Sequence, residues 1–273
     1  MAIAAVIAAY AIPYTLRART LARRGRPVAG WRIWCFGAGL AVLAAAISPP
    51  FLELAGSRFA AHMAEHLLIA DVAALLLVLG MPGAVLAPLL RAPAIGRLRA
   101  LTHPVAAFAL WAANLYLWHI PAAYEGALHS DALHSLQHVC FLLAGIGLWM
   151  PLFGPFPRPA WFGGAAQLGY VVAVRLAGAV LANVFVWSGT VIYGYYGSLD
   201  DQSAAGAVMM AEESVFMVAL FGWLAYKWMR DAGERQELLE LAGARGVELD
   251  ERRIGRAVAA GYGDDLRRRL SAG

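Results

Sequence analysis

Residues 62–80 read HMAEHLLIADVAALLLVLG. The last nine, Val72–Gly80, carry no charge. The whole stretch has the length and apolarity of a membrane-crossing helix, which needs roughly 20 mostly apolar residues. Its first five residues set His62 and His66 four apart, on one face of a helix and about one turn from each other. The stretch therefore says two things: the chain crosses a bilayer, and a pair of imidazoles sits at one end of a crossing segment.

The composition outside that stretch agrees. The chain has 273 residues, 61% of them hydrophobic and 15% charged, with a mean hydropathy of +0.61. A soluble domain carries roughly 25% charged residues. Apolar runs recur at Ala2–Leu16, Trp31–Ser48, His62–Gly80, Pro104–Ile120, His134–Leu152, Gln167–Tyr193 and Ala205–Trp228. The expected fold is an all-α polytopic membrane helical bundle of about seven transmembrane helices. Residues 1–228 read as the membrane domain and 229–273 as a charged cytoplasmic tail, whose apolar positions suggest short amphipathic helices on the membrane or a partner.

Arginine distribution orients the bundle. Arg17, Arg19, Arg23, Arg24 and Arg26 follow the first run, Arg91, Arg97 and Arg99 the third, Arg158 the fifth, and the Arg-rich tail the seventh. The alternate loops offer only Arg58. By the positive-inside rule the N-terminus is outside and the C-terminus cytoplasmic. The net charge of +4 and pI near 9.3 are thereby explained by topology, and no nucleic-acid partner is expected. Cys35 and Cys140 fall near opposite faces and predict no disulfide. The first charge after Met1 is Arg17, behind the apolar run, which is the reverse of a cleavable signal.

On that topology six of the seven histidines collect near the outer face, and only His103 lies at the other. His134 and His138 form a second pair at i, i+4, and His119 ends the run between the two pairs. His129 reads as a loop residue. Five imidazoles, His62, His66, His119, His134 and His138, are thus candidate metal ligands, and imidazole suits copper, zinc, iron and nickel. Met63, Met209 and Met210 add thioethers at similar depth, which favours Cu(I). Three other chemistries remain open on these residues. They are haem b held by one axial histidine from each pair, an intramembrane zinc enzyme using His62-x-x-Glu65-His66 with Glu65 as base, and a metal-free scaffold.

Ionisable residues inside apolar runs are costly and so informative. Asp71 and Arg175 both fall near mid-membrane and predict a buried ion pair. At about 100° per residue Asp71 points away from His62 and is not expected in the histidine pocket. Glu212 and Glu213 lie about two turns into the last run, from where a carboxylate can reach the pocket or pack among polar groups. Aromatics near run ends, including Trp31, Trp118, Tyr193, Tyr195, Tyr196, Trp223 and Trp228, read as interfacial belts.

Four pieces in order resemble the bacterial CtaG-type cytochrome c oxidase assembly proteins, the caa3-oxidase assembly factors. They are His62-Met63-x-x-His66-Leu67-Leu68 followed by Leu79-Gly80-Met81-Pro82; Leu117-Trp118-His119-Ile120-Pro121 with Tyr124; His134-x-x-x-His138 followed by Gly145 and Trp149; and Asp201-Gln202 with Gly206 and Met209. The resemblance runs from about Phe59 to Trp228. It implies a seven-span protein of the bacterial plasma membrane that serves haem–copper oxidase assembly by supplying copper, with oxidase subunits and a copper donor protein as partners and no enzymatic turnover. By the same resemblance the five histidines become the copper ligands, and Asp201 a supporting or partner-contact residue. Glu65 departs from the family pattern, where an uncharged residue is expected, and so does Met210-Ala211-Glu212-Glu213, where the run is more apolar.

Overall fold

The computed structural model describes residues 2–90, 99–259 and 262–272. Arg91 and Arg97, which contribute to the orientation reading, lie outside the described residues, as does the side chain of Arg99. Every regular element among the described residues is helical. The chain folds as α1 (Ala2–Arg23), α2 (Gly30–Ala46), α3 (Pro49–Ser57), α4 (Phe59–Leu67), a π-helical segment (Leu68–Ala73), α5 (Ala74–Gly80) and α6 (Gly83–Leu90). A 3₁₀ turn (Arg99–Thr102) leads into α7 (Pro104–Trp118), α8 (Pro121–Leu128), α9 (Asp131–Phe153), α10 (Gly164–Trp187), α11 (Leu199–Ala244), α12 (Glu251–Ala259) and α13 (Gly263–Ala272).

Four stretches are single helices long and apolar enough to cross a bilayer: Phe59–Gly80, Asp131–Phe153, Gly164–Trp187 and Leu199–Ala244. Two bent pairs raise the number to six, α2 with α3 at 52° and α7 with α8 at 71°. Proline causes both bends, since it bars its predecessor from helical geometry and favours the first turn of the next helix. Pro49 opens α3 and Pro121 opens α8. The expected first span forms one 22-residue helix, α1, without being among those six.

Two compact units divide the chain: Met1–Phe162 with Ala173–Val215, and Gly163–Val172 with Phe216–Gly273. In the first, close helix contact depends on glycine, as expected where lipid supplies no hydrophobic drive between helices. A Cβ on Gly80 would lie 2.6 Å from Phe36 Cβ, and one on Gly206 would lie 2.6 Å from the Ala182 carbonyl. A Cβ on Gly145 of α9 would collide with the carbonyl oxygen of Ala70 in the π segment. Tyr14 stacks on Phe36 at 3.7 Å and donates to the Gly80 carbonyl, which ties α1 to α2 and α5. Arg17 and Arg32, beyond any topological role, donate to the Ala84 and Leu79 carbonyls, and Arg158 donates to that of Leu152. Burial lowers the pKa of Arg158 without removing its charge at neutral pH. The cysteines are free, as expected.

In the second unit α11 continues as one helix past Trp228 to Ala244. The two short amphipathic helices expected in the tail are α12 and α13. Ile254, Val258 and Leu270 on them close a small core with Leu238 and Ala242, so these apolar positions pack within the tail itself.

Gly145→Ala should destabilise the bundle by about 1–3 kcal/mol, the usual cost of overpacking. Thermal unfolding in detergent reads this as a lower midpoint than wild type. Gly147→Ala, whose new methyl meets nothing within 4 Å, should unfold at or above the wild-type midpoint.

Candidate metal centre

The site begins at the first turn of α4. Its leading amides are held from outside the helix: Phe59 N–H donates to Asp201 Oδ2 at 2.6 Å and Ala60 N–H to Asp201 Oδ1 at 3.2 Å. Asp201, at the start of α11, thus caps a helix 142 residues away in sequence and neutralises its positive end. Its neighbour Gln202 pins the loop before α11, accepting from Ile192 N–H and donating to Ser188 Oγ and the Thr190 carbonyl. That loop carries Tyr193 and Tyr196 over the histidines. Neither is a belt residue. Tyr193 is buried, stacks on Tyr124 at 4.0 Å and donates to the His119 carbonyl at 2.7 Å.

Tyr196 determines which nitrogen of His62 is free. Its hydroxyl donates to the Ala55 carbonyl at 2.9 Å, and burial raises its pKa, so the proton stays on at neutral pH. The Tyr196 oxygen, 2.9 Å from His62 Nδ1, therefore accepts from it. That leaves the lone pair of His62 on Nε2, which faces His66 Nε2 at 2.9 Å. His119 is oriented in the same way. Pro121 ends α7, His119 sits at its C-terminal cap, and its Nδ1 donates to the Leu115 carbonyl at 2.7 Å. Its Nε2 is buried with no hydrogen-bond partner.

The two pairs meet as their spacing predicts. The rings of His62 and His134 lie 5.1 Å apart, those of His66 and His138 5.8 Å, and those of His66 and His119 6.2 Å. Two groups have ligand atoms all within 4.8 Å of one another: His62, His66 and His134, and Glu65, His134 and His138. Glu65 is fully buried with an oxygen 3.1 Å from His138 Nε2, yet neither carboxylate oxygen has a hydrogen bond. A buried carboxylate and several imidazole nitrogens without partners are costly in an apolar bundle, and a cation repays that cost. His134 and His138 are partly exposed, so the cluster is not fully enclosed by the described residues.

Other sequence expectations sort themselves around this core. His129 is exposed, bonds the Glu125 carbonyl of its own helix and packs on Tyr195, outside the cluster. His103 packs on Trp161, also outside it. Met63 and Met209 are buried beside the cluster, whereas Met210 is exposed. Arg175 pairs with Asp71 at 3.2 Å as expected, and also with Glu212 at 3.3 Å and Glu213 at 3.2 Å. Asp71 is the correction. It lines one cavity with His66 and His119, because residues 68–73 form a π-helix. The wider i→i+5 turn brings Asp71 back toward the face of His66, where 100° per residue would have turned it away. Sequence reading also missed Gln137, fully buried with both amide atoms lacking a partner. A signal for it existed: His134-x-x-Gln137-His138 repeats the spacing of His62-x-x-Glu65-His66.

A family model described as cytochrome c oxidase caa3 assembly factor matches residues 12–231, most of the chain. No curated protein and no solved structure matches it in the corresponding comparisons.

Removing the cap with Asp201→Ala should cost about 0.5–2 kcal/mol. Hydrogen exchange provides the local test: the amides of Phe59 and Ala60 should exchange faster, while those of α12 stay unchanged.

Proposed function

The chain belongs to the cytochrome c oxidase caa3 assembly factor family, and from that premise we propose that it binds copper at the histidine cluster and passes it to an oxidase subunit. Family membership supports a role in building cytochrome c oxidase and points to a non-catalytic one. The membrane is then the bacterial plasma membrane, the partners are oxidase subunits, and a copper donor protein supplies the ion.

One observation carries the reading. His62, His66 and His134 bring three ligand nitrogens within 4.8 Å, two of the rings almost wholly buried. With metal–nitrogen bonds of about 2.0–2.1 Å, nitrogens 2.9 Å apart subtend about 90° at a shared ion. The Tyr196 contact on His62 Nδ1 is the outer hydrogen bond that orients a metal-ligating histidine. Imidazoles packed this closely leave no slot for a porphyrin between the two pairs, which favours a bare ion over haem. Partial exposure of His134 and His138 suits a cargo that must enter and leave.

Glu65 supports a second reading. A carboxylate beside His134 and His138 suits Zn²⁺ or Cu²⁺ better than Cu(I), which prefers neutral nitrogen and sulfur donors. Zinc at that group is the alternative cargo or cofactor.

Elemental analysis of purified protein given limiting Cu(I), with an optical spectrum, tests the proposal. About one copper per chain without a haem band is expected, and its loss in His66→Ala/His138→Ala. Zinc in the same assay favours the second reading, and no metal from either source overturns the ligand assignment. Tyr196→Phe should keep the fold and weaken copper binding by about 10–100-fold, as loss of an orienting hydrogen bond does. A competition titration with a copper chelator measures that shift.

A further inference from the structure

A cavity of about 30 Å³ lies beside the histidine cluster, within the bundle. Met63, His66, His119 and Met209 line it, with Asp71 and Glu213 among its further walls. A water needs at least 10–15 Å³ so measured, so the space suits an ion with one or two small ligands. All four of the first residues are at least nine-tenths buried. The Nε2 of His119 and the Nδ1 of His66 have no hydrogen-bond partner, although buried polar atoms are normally paired.

The chemistry of this lining differs from that of the cluster beside it. The His62–His66–His134 group is all imidazole and adjoins Glu65, whereas the cavity is lined by two thioethers beside the imidazoles of His66 and His119. Its carboxyl groups are engaged by Arg175, Asp71 at 3.2 Å and Glu213 at 3.2 Å, so they are not free ligands. With Glu212 they set three carboxyls against a single guanidinium. Arg175 engages all three, which leaves the neutral donors to choose the cation. Neutral nitrogen and sulfur donors select a soft, monovalent one.

We propose that this cavity is a second copper position, taking Cu(I) through His119 Nε2 and the thioethers of Met63 and Met209, with the Arg175-engaged Asp71 and Glu213 in its further walls. The cavity extends along the Phe59–Gly80 span from Met63 to Asp71, roughly 12 Å at about 1.5 Å per residue. His66 borders both positions, through Nε2 at the outer group and with an unpartnered Nδ1. The ion steps from the all-imidazole group, which adjoins the exposed histidines, to the methionine-lined position inside the bundle. Cargo is then held out of water and away from oxidants until a partner takes it. The proposal rests on the reading of the cluster as a copper-handling site.

The test is X-ray absorption of the full chain in detergent, loaded anaerobically with one and then two equivalents of the Cu(I)–acetonitrile complex. Wild type should bind both, with sulfur in the copper shell appearing with the second. Met63→Leu/Met209→Leu conserves volume and should lose the second equivalent and all sulfur scattering, while keeping the first with its nitrogen shell. Retention of that first equivalent also reports that the variant is folded. Wild type binding a single, nitrogen-only copper overturns the second position and leaves the outer one standing. Sulfur scattering that persists in the double variant also overturns it. Absence of any copper overturns the reading of the cluster itself.

Discussion

A neutral imidazole buried among helices gives one nitrogen to a hydrogen-bond acceptor, and that choice fixes where the other lone pair points. In this protein the acceptors come from outside the ligand set. Tyr196 takes the Nδ1–H of His62, and the Leu115 carbonyl takes that of His119. His62 Nε2 is left facing His66, and His119 Nε2 is left buried without a hydrogen-bond partner. The loop bearing Tyr196, the Gln202 contacts that hold the loop and the Asp201 cap on α4 all serve this orientation. An apolar bundle cannot let these rings choose partners from water, so their tautomers are decided by the fold.

The second polar layer follows from the same scarcity of water. Arg175 gathers Asp71, Glu212 and Glu213 within ion-pair distance, all largely buried. A charge at this depth persists only with partners, and Arg175 has three. The π segment links this layer to the histidines. Had Leu68–Ala73 stayed α-helical, Asp71 would have turned away from His66 and out of the cavity wall. The segment is also where Gly145 approaches Ala70 so closely that a side chain does not fit. A widened turn leaves carbonyls less well covered, and a glycine opposite allows the neighbouring helix to pack against it.

Family membership and site geometry support one account from different directions. The family concerns oxidase assembly. The geometry suits a cation: converging imidazoles, an edge that is partly exposed, and an interior lined by the thioethers of Met63 and Met209.

Sequence alone determined the helical class, the multi-pass character and the two histidine pairs. Hydropathy and i, i+4 spacing are properties of neighbours in the chain. It also paired Asp71 with Arg175, since mid-membrane ions of opposite sign leave each other few alternatives. Tertiary structure decided which nitrogen each histidine presents and drew Tyr193 and Tyr196 from the presumed belt to the roof of the site. It also assigned Asp201 to a helix end 142 residues away and buried Gln137 beside His138. These outcomes depend on which segments pack together, and local periodicity does not encode that. The π segment belongs with them: its phase shift arises within one helix, yet the contact with Gly145 that accommodates it comes from another.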